Sequence, residues 1–397
     1  MFSLSHLFRR KNRPQPSVPH RPVVGLDIGF SAIKVAELQR GGKQWSLNRC
    51  GIQPLPPEAV VDGQIKQPEV VTQAIRELLA ANNITTKQAA ISLGGSSVIT
   101  KKIQMPVMSE LELEDQIAME AEEYIPFDIE NVNLDFHILG QNNETMEILL
   151  TACKKDLILS HSEAVRQAGL EPLVCDLDLF CLVNAYQTFL QPYPQSQARA
   201  LAFNPSPAEG GPSDKQPSRE PVVILVNMGA AFINIAIVTA NGLPGYIRDH
   251  ALGGRQIVHE IKTRQSLPWV EAERMLIMPG EEREHHSESA SWQTELIDPF
   301  LEQVVQQIRQ AISFHKTGNP DHPVTAVWLA GGCSLLPNAT RRIGERLELP
   351  LYLADPFANL THRWCRDKKE SPATALLKGM APRFMVALGL ALRGDRP

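Results

Sequence analysis

Two strand–glycine–strand turns, one in each half of the chain, constrain its fold more than any other feature. Residues 23–38 read VVGLDIGFSAIKVAEL. Val23, Val24 and Leu26 make a short apolar run that ends in Asp27. Ile28 and Gly29 turn the chain, and Ile33, Val35, Ala36 and Leu38 make the return run, broken by Lys34. That pattern reads as strand, glycine turn, strand. A glycine lets a backbone N–H come close to an anion, and the turn aims that donor outward. Asp27 is then a candidate to hold water on a Mg²⁺ ion, and Lys34 to neutralise phosphate charge. An ordinary β-hairpin would use the same residues, so the stretch does not decide by itself. Residues 222–238, VVILVNMGAAFINIAIV, repeat the arrangement: a strand over 222–226, a turn at Asn227-Met228-Gly229 and a return strand over 233–238. A repeated opening hairpin points to two related domains facing one another.

The 397 residues suffice for two or three folding units. A composition 43% hydrophobic and 21% charged is globular, and a formal net charge of −5 argues against a general nucleic-acid binder. Cys50, Cys153, Cys175, Cys181, Cys333 and Cys365 are scattered without a CxxC spacing. They read as buried thiols of a reducing compartment, not as a disulfide framework or zinc site. No apolar run reaches the roughly 18 residues that span a bilayer. Residues 222–238 come nearest, and Asn227, Gly229 and Asn234 interrupt them. Residues 1–21 hold Arg9, Arg10, Lys11, Arg13 and Arg21, no acid, and no apolar stretch long enough for a secretory signal. They read as a basic flexible tail; with Phe2, Leu4, Leu7 and Phe8 in front, a weak membrane-surface contact is the sharper alternative.

Between the two hairpins the periodicity predicts a third strand over 44–50, a helix over 69–81 and a strand over 89–93. Ser109 opens a helix with the capping box Ser109-x-x-Glu112, and Pro126 ends it. Residues 109–130 contain nine acids and no Lys or Arg. This is a solvated acidic face, or a docking face for a basic partner. Strands over 133–139 and 145–152, a helix over 156–168 capped by Gly169, a strand over 174–179 and a helix over 181–190 follow. The first part of this stretch reads as a small inserted α+β subdomain. Residues 191–220 hold six prolines with Gly, Ser and charge, the composition of a flexible linker. After the second hairpin come a strand over 246–250, Gly253-Gly254, helices over 255–263 and 270–276, and a polar excursion over 281–290. Its His285-His286 pair reads as a solvated loop before it reads as a metal site. A long helix over 298–314, a strand over 324–329 running into Gly331-Gly332, a helix over 339–347, a strand over 351–353, a polar stretch over 361–377 and a helix over 384–393 complete the chain.

Three glycine turns in this order, at Gly29, Gly229 and Gly331-Gly332, resemble the actin-like ATPase superfamily. The nearer resemblance is to the PilM family of type IV pilus assembly proteins. It is carried by GLDIGFSAIKVAEL (25–38), the segment 103–139 with its acidic helix ending in Tyr124-Ile125-Pro126-Phe127, VCDLDLFCLVNAY (174–186), HALGGRQIVHEI (250–261), VWLAGGCSLLPN (327–338), LYLADPF (351–357) and VALGLALR (386–393). It implies an α/β, actin-like two-domain fold: two RNase H-like domains, an inserted subdomain 1C and a nucleotide cleft between the domains. Domain 1A would take residues 22–98 and 171–190, subdomain 1C residues 99–170, the linker 191–220 and domain 2 (2A and 2B) residues 221–380. Residues 381–397 would return to domain 1.

The same resemblance implies ATP and Mg²⁺ as ligands. Asp27, Gly29, Phe30 and Lys34 would form one phosphate turn, with Asp27 toward the metal, and Asn227 and Gly229 the other. Gly253, Gly254, Gly331, Gly332 and Cys333 would complete the nucleotide side, the Gly-Gly lying against the adenosine. The implied partner is a PilN-like membrane protein, whose N-terminal cytoplasmic peptide binds a groove between 1A and 1C. PilO- and PilP-like proteins and the pilus assembly ATPase would follow indirectly. That places the chain in the cytoplasm, peripheral to the inner membrane. The sequence departs from the family pattern at Asn227, where a second Asp is usual, at Phe30, along 230–233 (AAFI), at Leu276 and at Asn338. An amide cannot act as a base, so these departures predict nucleotide binding with poor hydrolysis and no catalytic residue. A sugar-kinase-type phosphotransferase or active ATPase, an FtsA-like division filament and a GspL-like type II secretion component are the alternatives. The lack of a base near a sugar hydroxyl speaks against the first, and an ending at Arg396-Pro397 without an amphipathic helix against the second.

Overall fold

The computed structural model describes residues 22–42, 44–191, 201–203, 221–239, 244–277, 289–318, 321–362 and 379–395. The chain divides into two compact units, one of residues 1–181 and 386–397, the other of residues 182–385.

In the first unit β1 (Val24–Ile28), β2 (Ala32–Gly41) and β3 (Gln44–Pro54) form an antiparallel meander. A short ribbon, β4 (Val60–Val61) with β5 (Gln64–Ile65), leads into α1 (Pro68–Ala81), which starts on a proline whose missing N–H the first turn does not need. β6 (Gln88–Leu93) returns parallel to β1. The chain then leaves the sheet for β7 (Val98–Pro106), α2 (Glu110–Tyr124), β8 (Val132–Gln141), β9 (Thr145–Lys154) and α3 (Lys155–Gln167). β10 (Glu171–Leu177) comes back parallel to β6, so these five strands lie in the order β10-β6-β1-β2-β3. All five residues of β1 are buried, as a strand covered on both faces requires. On one face Val24, Leu26, Ile33 and Val35 pack with Val71, Ile75 and Leu78 of α1 and with Val165 of α3.

The excursion over β7–β9 is its own small layer. The strand order is β7-β9-β8, and Leu113, Ile117 and Ala121 of α2 pack on Met146, Ile148 and Leu150 of β9. The capping box is formed: Ser109 Oγ accepts the Glu112 N–H, and the Glu112 carboxylate accepts the Ser109 N–H at 2.8 Å. The Ser109 N–H, with the Ser109 hydroxyl donating to the same carboxylate oxygen at 2.8 Å, holds the Glu112 carboxyl below its ordinary pKa.

Helix α4 (Asp178–Ala185) carries the chain from the first unit into the second and continues as a π-helical turn, Tyr186–Leu190. The second sheet begins at its edge with β11 (Leu201–Phe203). It is built from β12 (Val222–Met228), β13 (Ile233–Thr239) and β14 (Pro244–His250), then α5 (Arg255–Gln265), α6 (Trp269–Ile277), α7 (Ser289–Gly318), β15 (Val324–Ala330), α8 (Ala339–Leu347) and β16 (Leu351–Leu353). Its order is β11-β16-β15-β12-β13-β14. Leaving out β11, the two sheets share one plan: an antiparallel three-strand meander whose first strand carries two further parallel strands on its other side. The repeat read from the two glycine turns is therefore a repeat of whole sheets.

Several boundaries differ from the periodicity. Leu201–Phe203 lies inside the predicted linker but pairs antiparallel with β16, because Leu201 and Phe203 give that stretch an apolar edge strand; the rest of 192–220 lies outside the described residues, as do residues 1–21, His285-His286 and Cys365. Strand β7 escaped the periodicity because it alternates only over its last five residues, where Ile103 and Met105 are buried between exposed Lys102, Gln104 and Pro106. Helix α7 starts well before Asp298 and runs through Pro299, held by Ile297 and Phe300 in the core. β10 ends at Leu177, and Asp178 already belongs to the helix. Among the described residues no helix is long and apolar enough to cross a membrane.

The C-terminal helix α9 (Met385–Ala391) is seated in the first unit by backbone contact. An added Cβ at Gly25 would meet the Ala387 carbonyl oxygen at 2.0 Å, and one at Gly389 the Cys181 carbonyl oxygen at 2.0 Å. Beyond the helix, Arg393 Nε and Nη2 reach Asp176 Oδ2 at 2.6 and 2.5 Å, with both side chains 3% exposed. The Leu177 N–H donates to Asp176 Oδ1 at 2.8 Å. Removing one partner of a buried pair leaves the other charge stranded, which costs about 3–5 kcal/mol. Arg393→Ala is expected to lose about that much in urea unfolding followed by circular dichroism, with Asp176→Asn plus Arg393→Met recovering much of it.

Candidate functional site

The two glycine turns have the same backbone and opposite electrostatics. In the first, Asp27 and Lys34 are direct cross-strand partners, and the Gly29 N–H donates to the Ala32 carbonyl oxygen at 3.1 Å. In the second, Asn227 and Asn234 are the direct partners, and the Gly229 N–H donates to the Phe232 carbonyl oxygen at 2.9 Å. Each rung sits near the end of the first strand of its three-strand meander. Period-2 alternation puts both rung residues on one face of their hairpin.

In the first turn Lys34 Nζ lies 3.1 Å from Asp27 Oδ2, and both side chains are largely buried. Lys34 also covers the turn, since a Cβ on Gly29 would stand 2.8 Å from its Nζ. The pair offers a carboxylate oxygen beside an ammonium. That is a fit for a hydrated cation and for phosphate oxygens respectively. Phe30 follows Gly29 at the tip and is part-buried, packed on the core of its own unit.

In the second turn three segments meet backbone to backbone. The Gly254 N–H donates to the Gly229 carbonyl oxygen at 3.2 Å and the Arg255 N–H to the Ala230 carbonyl oxygen at 2.8 Å. Cys333 Sγ lies 3.2 Å from the same Gly229 oxygen. Desolvation pushes the Cys333 thiol up to about 12, so it stays a protonated donor. Gly331 has φ +82°, and a Cβ there would stand 2.5 Å from the Met228 carbonyl oxygen and 2.6 Å from Asn227 Oδ1. Gly253 and Gly254 are equally tight, against Ala230 and against Cys333 Sγ at 2.5 Å. Only Gly332 is open, with Arg383 Nε at 3.8 Å as its nearest neighbour. The glycines at 253, 254 and 331 thus serve close protein packing, and Gly332 alone leaves a free face. Beside them, burial raises the Glu273 carboxyl above its ordinary pKa, with Arg383 and Arg255 opposing.

The structure therefore gathers Asp27, Gly29, Phe30 and Lys34 on one turn, and Asn227, Gly229, Gly253, Gly254, Gly331, Gly332 and Cys333 around the other. Sequence reasoning missed Asn234 and Asp249. Asn234 Nδ2 donates to Asp249 Oδ1 at 2.8 Å, and Asn227 Nδ2 to Asn234 Oδ1 at 2.9 Å. The available signal was Asn234 in an apolar strand, a polar residue that must find partners when buried. Among the described residues no group of three or more His, Cys, Asp and Glu gathers to hold a metal, and Cys50, Cys153, Cys175, Cys181 and Cys333 are free thiols.

The family model described as type IV pilus assembly protein PilM matches residues 25–203 and 212–395. The chain belongs to the PilM family. Among solved structures, one described as a PilM-PilN type IV pilus biogenesis complex is 26% identical; the match covers 96% of this chain and 100% of that one at a TM-score of 0.76. The ethanolamine utilization protein EutJ from Carboxydothermus hydrogenoformans is 14% identical, with 95% and 91% covered at a TM-score of 0.51, a likeness of fold. The fold class is the actin-like one read from the sequence, and PilM membership agrees with the segments that carried the resemblance.

The packing around Cys333 is directly testable. Gly254→Ala forces its Cβ onto Cys333 Sγ, and Cys333→Ala vacates that space. Thermal unfolding is expected to show Gly254→Ala destabilised by about 1–3 kcal/mol, as overpacking costs. In the double variant the Gly254→Ala penalty should largely vanish, a coupling of contacting residues.

Proposed function

We propose that this PilM-family chain is a nucleotide-binding scaffold of the type IV pilus assembly machinery. In this reading it binds the N-terminal cytoplasmic peptide of a PilN-like membrane protein and hydrolyses ATP weakly or not at all. The observation that carries the proposal is the likeness over nearly the whole chain to a PilM–PilN complex. Residues 99–170 are taken as subdomain 1C and the β1–β3 sheet as 1A, with the peptide in the groove between them. An extended peptide captured in a groove draws affinity from main-chain pairing and needs no covalent machinery. The chain is then cytoplasmic and held at the inner membrane through that partner, within reach of PilO- and PilP-like proteins and the assembly ATPase.

The nucleotide part rests on the turns. On the first turn Asp27 would face a Mg²⁺ ion, and Lys34 and Gly29 phosphate; on the second, the Gly229 turn would face phosphate. Gly253, Gly254 and Cys333 hold the second turn in shape, and Gly332 leaves room for the nucleoside. A bound Mg²⁺ would screen the phosphate charge and align the leaving group. Poor hydrolysis follows from the residues. Asn227 carries no charge and takes no proton. Its Nδ2 is committed to Asn234, and Asp27 Oδ2 to Lys34.

Pull-down with a synthetic PilN-like N-terminal peptide is expected to retain the full chain, whereas a scrambled peptide does not; failure to bind any such peptide overturns the scaffold reading. Phosphate release from Mg·ATP is expected to stay at the buffer background. A clear turnover that Asp27→Asn abolishes would overturn the claim of poor hydrolysis.

A further inference from the structure

The polar row behind the second turn continues across three strands, and its far end sets how every amide in it points. Asn227, Asn234 and Asp249 are successive cross-strand partners on β12, β13 and β14. An ionised carboxylate only accepts hydrogen bonds, so the Asn234 atom facing Asp249 is Nδ2, at 2.8 Å. Asn234 is 3% exposed, and a buried oxygen left without a donor is costly. Its Oδ1 takes the Asn227 Nδ2 hydrogen at 2.9 Å. That leaves Asn227 Oδ1 as the atom turned out of the row, 2.6 Å from where a Cβ on Gly331 would stand. The first turn has no such relay: the residue across from Lys34 on β3 is Ile52.

We infer that Asp249 is a positioning residue which, through Asn234, holds Asn227 with its carbonyl oxygen outward. The second turn thus presents an acceptor, which takes the water hydrogens of a hydrated divalent cation and turns away bare phosphate oxygens. The inference rests on the nucleotide-binding reading.

Two variants of the full chain separate orientation from mere structure. Asp249→Asn makes the end of the row able to donate as well as accept, so Asn234 and Asn227 can turn over together and point Nδ2 outward. Asn234→Asp plus Asp249→Asn places an acceptor-only group in the middle of the row, which takes the Asn227 Nδ2 hydrogen and restores the outward oxygen. By titration calorimetry Asp249→Asn is expected to bind Mg·ATP about tenfold more weakly, the size of one hydrogen bond. The double variant is expected to return to within about threefold of the parent. Equal Mg·ATP affinity of the parent and Asp249→Asn, or a double variant as weak as the single one, overturns the inference.

A second readout needs no nucleotide. Side-chain amide NMR of the ligand-free chain is expected to show the Asn227 amide hydrogens protected from solvent exchange in the parent and the double variant, and exposed in Asp249→Asn. Unchanged protection in Asp249→Asn overturns the orientation. Absence of Mg·ATP binding by the parent removes the nucleotide reading, and the amide spectrum then decides the orientation by itself.

Discussion

At Gly25 there is no room for even one carbon beyond the backbone, and the same holds at Gly389 on the helix that faces it. That contact brings α9, from the far end of the chain, onto the central strand of the first unit. Val386 and Leu390 then pack with Val23, Ala90 and Cys181 on the face of the sheet away from α1. Without this second covering, β1 would not be buried on both sides. The buried Arg393–Asp176 pair completes the closure. A charge pair at such a depth is costly to assemble and costlier to break by halves, so it favours one seating of the C-terminal segment over nearby alternatives. The turn that carries Asp27 and Lys34 hangs from the strand held in this way.

The same device, backbone against backbone at glycine, builds the second turn, but there it joins three loops instead of a helix and a strand. Because the Gly229 and Ala230 carbonyl oxygens are bound by Gly254, Cys333 and Arg255, the turn's shape is fixed by protein donors. What differs between the two turns is charge. One rung is a carboxylate with an ammonium, and the other is a pair of amides whose polarity comes from a carboxylate one strand further on. A duplicated fold has kept the geometry of its turn twice and the ionic chemistry once. This would give the proposed binding without turnover a physical basis.

Much of this was legible in the residues. Glycine turns, the capping box at Ser109 and the alternating runs are local signals, and they placed the strands of both meanders and most helices. What escaped depended on partners far away in sequence. Leu201–Phe203 becomes a strand only because β16 offers it an edge. Helix α7 passes Pro299 because the core holds both sides of it. Gly331-Gly332 reads as one motif, but the two glycines do different things: the first accommodates Met228 and Asn227, and the second stays open. Asp249 gave no signal of its own, since a polar residue at the end of an edge strand is ordinary; its role appears only when the rung from Asn227 is followed across β13.

The proposed scaffold would hold a nucleotide on the Asp27 turn without the means to cleave it. A crystal structure of the full chain grown with Mg·ATP tests it most directly. The proposal predicts an intact triphosphate with metal-bound water against Asp27 and phosphate oxygens near Lys34. Hydrolysed nucleotide in the site, or crystals with saturating Mg·ATP and no nucleotide at the Asp27 turn, would contradict it.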